Sequence, residues 1–235
     1  MKQILQNISN GETSLVDIPT PLIKSTGVLI ATSNSLISPG TERMLIDFGK
    51  ASYLEKIKQQ PDKVKTVFDK IKTDGLVPTI DAVKTKLDQP IELGYCNSGY
   101  VIETNAEQFS IGDRVASNGC HAEIVSVGRN LCAKIPDEVD DESASFTVMG
   151  AIALEGIRLI NPSLGDSVVV SGLGLVGLLT VQLLKANGCR VVGIDFNSER
   201  CDLAESFGAE TINLSKIENP LQIVKAFTRN RGADA

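Results

Sequence analysis

The stretch DSVVVSGLGLVGLLTVQLLKANGCRVVGID, Asp166 to Asp195, decides how this chain folds. It opens on a β-branched run, Val168 to Val170, of the kind carried by strands buried on both faces of a parallel sheet. Glycines follow at 172, 174 and 177, and an apolar periodic segment from about Leu175 to Ala186 reads as a helix. Gly188 ends that helix, and Arg190 to Asp195 forms a second strand. Each glycine has a steric reason. Gly172 permits a tight strand-to-helix turn, Gly174 leaves the backbone amides bare to an approaching phosphate, and Gly177 lets the helix close on the sheet.

A glycine-spaced turn alone is weak evidence. Here it lies between a strand and a helix, and an acid closes the next strand about 20 residues on, as a dinucleotide-binding Rossmann unit requires. The pyrophosphate is expected on the first amides of the helix, at Leu175 and Val176, where the helix dipole is positive. Asp195 can accept hydrogen bonds from both ribose hydroxyls, and its charge would repel a 2′-phosphate. NAD is therefore expected rather than NADP. Arg200 is a candidate to temper that preference; its alternative role is a surface pair with Glu199 or Asp202.

Working outward, a second helix is expected to end at Ala204 to Gly208, with a third strand at Thr211 to Leu214 and a third helix at Leu221 to Thr228. The next strand should begin at Gly232 to Ala235, so the doubly wound sheet is expected to be truncated within this chain. Upstream the pattern changes to short strands punctuated by turn residues: QILQN, SLVDIP and GVLIATSNSLI before Met44, then IELGY, GYVIET, DRVAS, AEIVSV and CAKIP from Ile91 to Pro136. Such spacing suggests an antiparallel barrel or sandwich. Between them, from about Gly49 to Gln89, apolar residues recur at helical spacing opposite a lysine-rich face, which reads as a helical insert. The acidic run Asp137 to Glu142 is expected to cap a helix from about Ser143 to Leu159. The reading is α/β: residues 1–140 form a β-barrel domain with an insert at about 49–89, and 141–235 the start of a nucleotide-binding domain.

Composition narrows the function. A net charge of −6 disfavours nucleic-acid or anionic-membrane partners. The hydrophobic share of 42% and charged share of 22% are those of ordinary globular proteins. Five cysteines without CxxC spacing read as reduced thiols, the N-terminus lacks a signal-like apolar core, and a cytoplasmic location is expected.

With these features in place, the chain resembles the medium-chain dehydrogenase/reductase superfamily, zinc-type alcohol dehydrogenase-like, which joins a GroES-like catalytic domain to a Rossmann domain. GDRV, AEIVSV, KIPDEV and the Asp166–Asp195 stretch carry the likeness. SLISPGTERML, VKTKLDQP and LGYCNSGYVIE are further similar to the dehydrogenase-like half of bacterial bi-domain oxidoreductases, commonly encoded in polysaccharide gene clusters. That likeness implies a C-terminal second oxidoreductase domain, a small-molecule substrate and a homodimer.

The chain departs from the family's zinc site. Pro39 stands at the catalytic cysteine's place, Tyr95 at the histidine's, and the later ligand falls near Gly150; the structural-zinc lobe is missing. Cys96, Cys120 and His121 are the only candidates that can be assembled into a site, fewer than a tetrahedral site needs, so no metal is expected. Proton handling then falls to side chains. Tyr95 is the first candidate, replacing a ligand of the cleft that the resemblance implies. His121, the sole histidine, and Thr41 follow, with Glu42 and Glu155 as lesser candidates. The expected activity is NAD-dependent, zinc-free hydride transfer to or from an alcohol or carbonyl, including sugar-derived ones. The alternatives are a non-catalytic nucleotide-binding module and an NADPH-dependent quinone or enoyl reductase.

Overall fold

The computed structural model describes residues 1–52, 55, 58, 73, 78, 83, 85, 88–217 and 219–235. The expected helical insert at about 49–89 lies mostly outside the described residues, as does its lysine-rich face. The chain divides into two compact units, Met1–Ser145 and Phe146–Ala235.

The first unit is built of short antiparallel strands. β1 (Lys2–Gln6), β2 (Thr13–Asp17) and β4 (Ile91–Glu92) form one sheet in the order β2-β1-β4. β3 (Gly27–Ser35), β5 (Asn97–Thr104), β6 (Arg114–Ser117), β7 (Ile124–Gly128) and β8 (Cys132–Lys134) form a second, ordered β7-β3-β5-β6-β8. The expected short strands are all present. Val28, Ile30, Val101, Val115, Val125 and Val127 are buried together, which fits β-branched side chains on a pleated surface. β3 starts fully buried and ends partly exposed, and register shifts between Leu29 and Ile30 and between Thr32 and Asn34 turn its end out of the core.

One element was not expected. The segment read as strands and turns up to Met44 contains a helix, α1 (Pro39–Lys50). Its start signals are in the sequence: Ser38 at the cap position, Pro39 at the first helical position and Glu42 in the first turn. The acidic run does cap a helix, since the Asp140 carboxylate accepts from the Ser143 amide at 2.6 Å. The single helix expected from Ser143 to Leu159 is instead two, α2 (Asp141–Ala144) and α3 (Thr147–Ile160). The Ser145 hydroxyl donates back to the Glu142 carbonyl at 2.7 Å, a local bond that competes with helix continuation.

The second unit is a parallel sheet flanked by helices. β9 (Ser167–Ser171), α4 (Leu175–Ala186), β10 (Arg190–Asp195), α5 (Ser198–Ser206), β11 (Glu210–Asn213) and α6 (Pro220–Phe227) alternate along the chain. The strand order β11-β10-β9 with parallel pairing is one half of a doubly wound fold. Val168, Val170, Val181, Leu184 and Val191 share its core with Leu173, which lies wholly buried in the glycine turn itself. On the other edge of β9, the Val169 amide donates to the Ala235 carbonyl at 2.8 Å and the Asp234 amide to the Ser167 carbonyl at 2.8 Å. No helix among the described residues is long and apolar enough to cross a membrane.

Candidate functional site

At the carboxyl end of β9 the chain turns sharply at Gly172, whose φ of 89° lies in the left-handed region. Gly174 then caps α4 with an extended backbone and no side-chain oxygen on the free amides. A Cβ added there would meet nothing within 4 Å, so the approach to the amides of Leu175 and Val176 is sterically open. Gly177 is the opposite case. A Cβ on it would stand 1.9 Å from the Gly172 carbonyl oxygen, so the glycine is demanded by the turn's own backbone rather than by the sheet.

Asp195 ties the end of β10 to this turn. Its Oδ2 accepts from the Leu173 amide at 2.7 Å and its Oδ1 from the Asn197 amide at 2.8 Å. Burial pushes the carboxyl pKa up, but the Asn197 and Leu173 amides and the Arg200 charge outweigh it and hold it below the ordinary value. Asp195 is therefore anionic at neutral pH, beside the glycine turn. Arg200 does not make the surface pair with Glu199 or Asp202 that was its alternative role. Its guanidinium turns back to Asp195 at 3.8 Å, where the deeper, 11% exposed carboxylate gives the stronger interaction.

A second polar cluster lies in the first unit, where β3 runs into α1. The Tyr95 hydroxyl donates to Ser38 Oγ at 2.9 Å and lies 3.2 Å from Thr41 Oγ1. The Ser38 amide donates to Glu42 Oε1 at 2.7 Å, and Glu42 Oε2 meets His121 Nε2 at 3.1 Å. His121 Nδ1 lies 2.9 Å from Ser35 Oγ. An acceptor-only carboxylate places the ring proton on Nε2, leaving Nδ1 to the Ser35 hydroxyl. Glu42 and His121 are 4% and 6% exposed, Tyr95 is half-buried and Thr41 is exposed. The structure thus brings Tyr95, Thr41, His121 and Glu42 together and adds Ser35 and Ser38, which sequence reasoning missed. Their signal was the hydroxyl-rich run SNSLISPGT at the start of a helix. Glu155 lies apart from these residues in sequence, exposed on α3.

Two of the candidate soft ligands have other partners. Both His121 nitrogens are engaged, and Cys120, which accepts from Gln3 Nε2 at 3.3 Å, is held as a thiol by burial and the Glu92 charge, with a pKa pushed up to about 11. Among the described residues no three His, Cys, Asp or Glu side chains converge on one point. In the second unit, a cavity of about 300 Å³ between α3, β9 and α4 is lined mainly by aliphatic side chains such as Ile152, Ile160, Val169 and Val176. It lacks the convergent polar groups of a reacting site.

A protein-family model described as zinc-binding dehydrogenase matches residues 176–235. Among curated proteins, (R,R)-butanediol dehydrogenase of Bacillus subtilis (strain 168) is 29% identical over 160 residues, 55% of this chain and 46% of that protein. D-guloside 3-dehydrogenase of Escherichia coli (strain K12) is 33% identical over 150 residues, 61% of this chain and 43% of that protein. The matched region is thus less than half the length of either relative. Among solved structures, galactitol-1-phosphate dehydrogenase from Escherichia coli superposes with a TM-score of 0.74 at 21% identity, over 98% of this chain and 66% of that one. These matches are to dehydrogenases of the medium-chain dehydrogenase/reductase superfamily, which this chain resembles. Its GroES-like β unit followed by a Rossmann unit is the fold of the galactitol-1-phosphate dehydrogenase it superposes on.

Proposed function

We propose that this chain is part of a medium-chain dehydrogenase/reductase that uses NAD to interconvert a secondary alcohol and its carbonyl. The observation that carries the reading is Asp195, an anchored carboxylate 2.7 Å from the Leu173 amide at the lip of an open glycine turn. Gly172, Gly174 and Gly177 with the amides of Leu175 and Val176 would hold the pyrophosphate, and Asp195 the adenosine ribose. A bound nicotinamide supplies or accepts the hydride.

Alcohol oxidation also needs a group to take the hydroxyl proton, and carbonyl reduction one to give it. Tyr95 suits that role, because Ser38 and Thr41 hydroxyls hold its phenol oxygen in place. Thr41 adds an exposed hydroxyl that can bind a substrate oxygen; His121, buried, acts behind them. Zinc-free chemistry is favoured by the identities of Pro39 and Tyr95 at the ligand positions, and no step here is routed through a metal. The relatives' names point to vicinal diols and sugars, so a diol or glycoside hydroxyl is the substrate class we favour. The small-molecule substrate, a homodimer, a C-terminal oxidoreductase domain and a cytoplasmic location belong to the same proposal, the last supported by five cysteines without CxxC spacing.

One observation favours a second reading, NADPH-dependent reduction of a quinone or enoyl substrate: Arg200 lies 3.8 Å from Asp195 and could meet a 2′-phosphate. Incubation with NAD and either (R,R)-2,3-butanediol or a D-guloside, following absorbance at 340 nm, tests the proposal. NADH formation is expected with at least one of them. Turnover confined to NADPH and quinones would contradict it.

A further inference from the structure

The contacts around Tyr95 form a closed circuit. The phenol bonds to Ser38 Oγ, the Ser38 amide to Glu42, and Glu42 to the His121 ring. The ring then lies against Gly94, the residue before Tyr95, so closely that a Cβ there would stand 2.6 Å from Nε2. Gly94 also has φ +91°, which only glycine adopts freely. The His121 amide completes the ring by donating to the Leu93 carbonyl at 2.8 Å. Both ends of the Tyr95 side chain, backbone and hydroxyl, are thus referred to one buried pair.

Stability does not explain that pair. Taking a carboxylate and an imidazole out of water is costly, and their attraction commonly does no more than offset the cost. What the pair does supply is geometry. Glu42 sits on the first turn of α1, its amide bonded to the Ser38 carbonyl at 3.0 Å while its Oε1 reaches back to the Ser38 amide. That pair of hydrogen bonds fixes the Ser38–Thr41 turn, which contains Gly40 with nothing within 4 Å of its Cβ position to brace it. The Ser38 and Thr41 hydroxyls that hold the phenol sit on this turn. Precise first contacts depend on such supporting bonds.

We propose that Glu42, backed by His121, is the positioning residue for Tyr95, setting the two hydroxyls that orient the phenol without touching substrate. The kinetic part of this inference rests on the reading of Tyr95 as proton donor; the structural part does not. The full chain labelled with 3-fluorotyrosine separates them, since it contains only three tyrosines and the Tyr95→Phe variant assigns the Tyr95 ¹⁹F signal. In Glu42→Ala that signal should move toward the frequency of free 3-fluorotyrosine. In His121→Gln, whose amide nitrogen can stand in for Nε2, it should stay near its original place. In the D-guloside or butanediol assay, Glu42→Ala should lose about tenfold in kcat, with KM changed less than about threefold and NADH affinity unchanged. If Glu42→Ala does not fold, Glu42→Gln replaces it, with a smaller displacement in the same direction. A folded Glu42 variant with an unmoved Tyr95 signal overturns the proposal, whatever its activity. A moved signal supports it even if Tyr95→Phe stays active, an outcome that would sink only the proton-donor reading.

Discussion

Substituting Gly174 by alanine should separate cofactor binding from folding. Gly174 has φ −74° and ψ −168°, a conformation any residue adopts, and its added Cβ would meet nothing within 4 Å. The direct cost to the fold is only the difference between glycine and alanine as a helix cap, about 0.5–1 kcal/mol. The new methyl would nevertheless stand over the amides of Leu175 and Val176, where a diphosphate must come to hydrogen-bond distance. Keeping the diphosphate away from one or two charge-assisted bonds should cost about 1.5–3 kcal/mol, or roughly 10- to 150-fold in NADH affinity. Gly177→Ala is the control with the opposite profile. Its Cβ would press 1.9 Å from the Gly172 oxygen, so unfolding free energy should fall by about 1–3 kcal/mol as the turn shifts. Urea unfolding gives the stabilities and NADH fluorescence the affinities. A Gly174→Ala chain that binds NADH as tightly as wild type would refute the placement of the diphosphate on this turn.

Tyr95→Phe removes the hydroxyl that meets Ser38 and Thr41, and kcat in alcohol oxidation should fall about a hundredfold with NADH binding intact; unchanged kcat would remove Tyr95 from the chemistry. Asp195 also predicts a pH effect. Its folded pKa is depressed, burial being outweighed by the Asn197 and Leu173 amides and Arg200, so its contribution is present above the ordinary value of 3.8 and lost as pH falls through the folded one. Thermal stability should therefore drop more steeply below about pH 4 in wild type than in Asp195→Asn, and parallel curves would count against the linkage. Dialysis against 1,10-phenanthroline should leave alcohol oxidation unchanged; its abolition, restored by zinc, would show that a metal takes part.

Much of the fold was legible because its signals are local. The Val168–Val170 run, the glycine spacing and Gly188 delimit strand, turn and helix without reference to distant residues, and α4 and β10 span the expected residues. The acidic cap at Asp140 was readable for the same reason. The break between α2 and α3 was less so, since it depends on which way the Ser145 hydroxyl turns. α1 was missed because its apolar residues follow a strand-like run, even though Pro39 and Glu42 mark a helix start. The proposed nucleotide site was legible from one contiguous motif. The Tyr95 cluster was legible only as separate candidates, for its bonds join residues 57 and 79 positions apart in the chain. No periodicity announces that Glu42 and His121 share one buried contact, and the pairing of Arg200 with Asp195 depends on a side-chain rotamer that spacing on α5 does not determine.

Calorimetric titration of the folded wild-type chain and of Asp195→Ala with NADH and NADPH tests the central claim most directly. The carboxylate beside the glycine turn predicts that wild type binds one NADH about tenfold or more tighter than NADPH, and that the alanine variant loses that preference. Absence of heat with NADH in wild type, or a preference for NADPH that survives in Asp195→Ala, would contradict it.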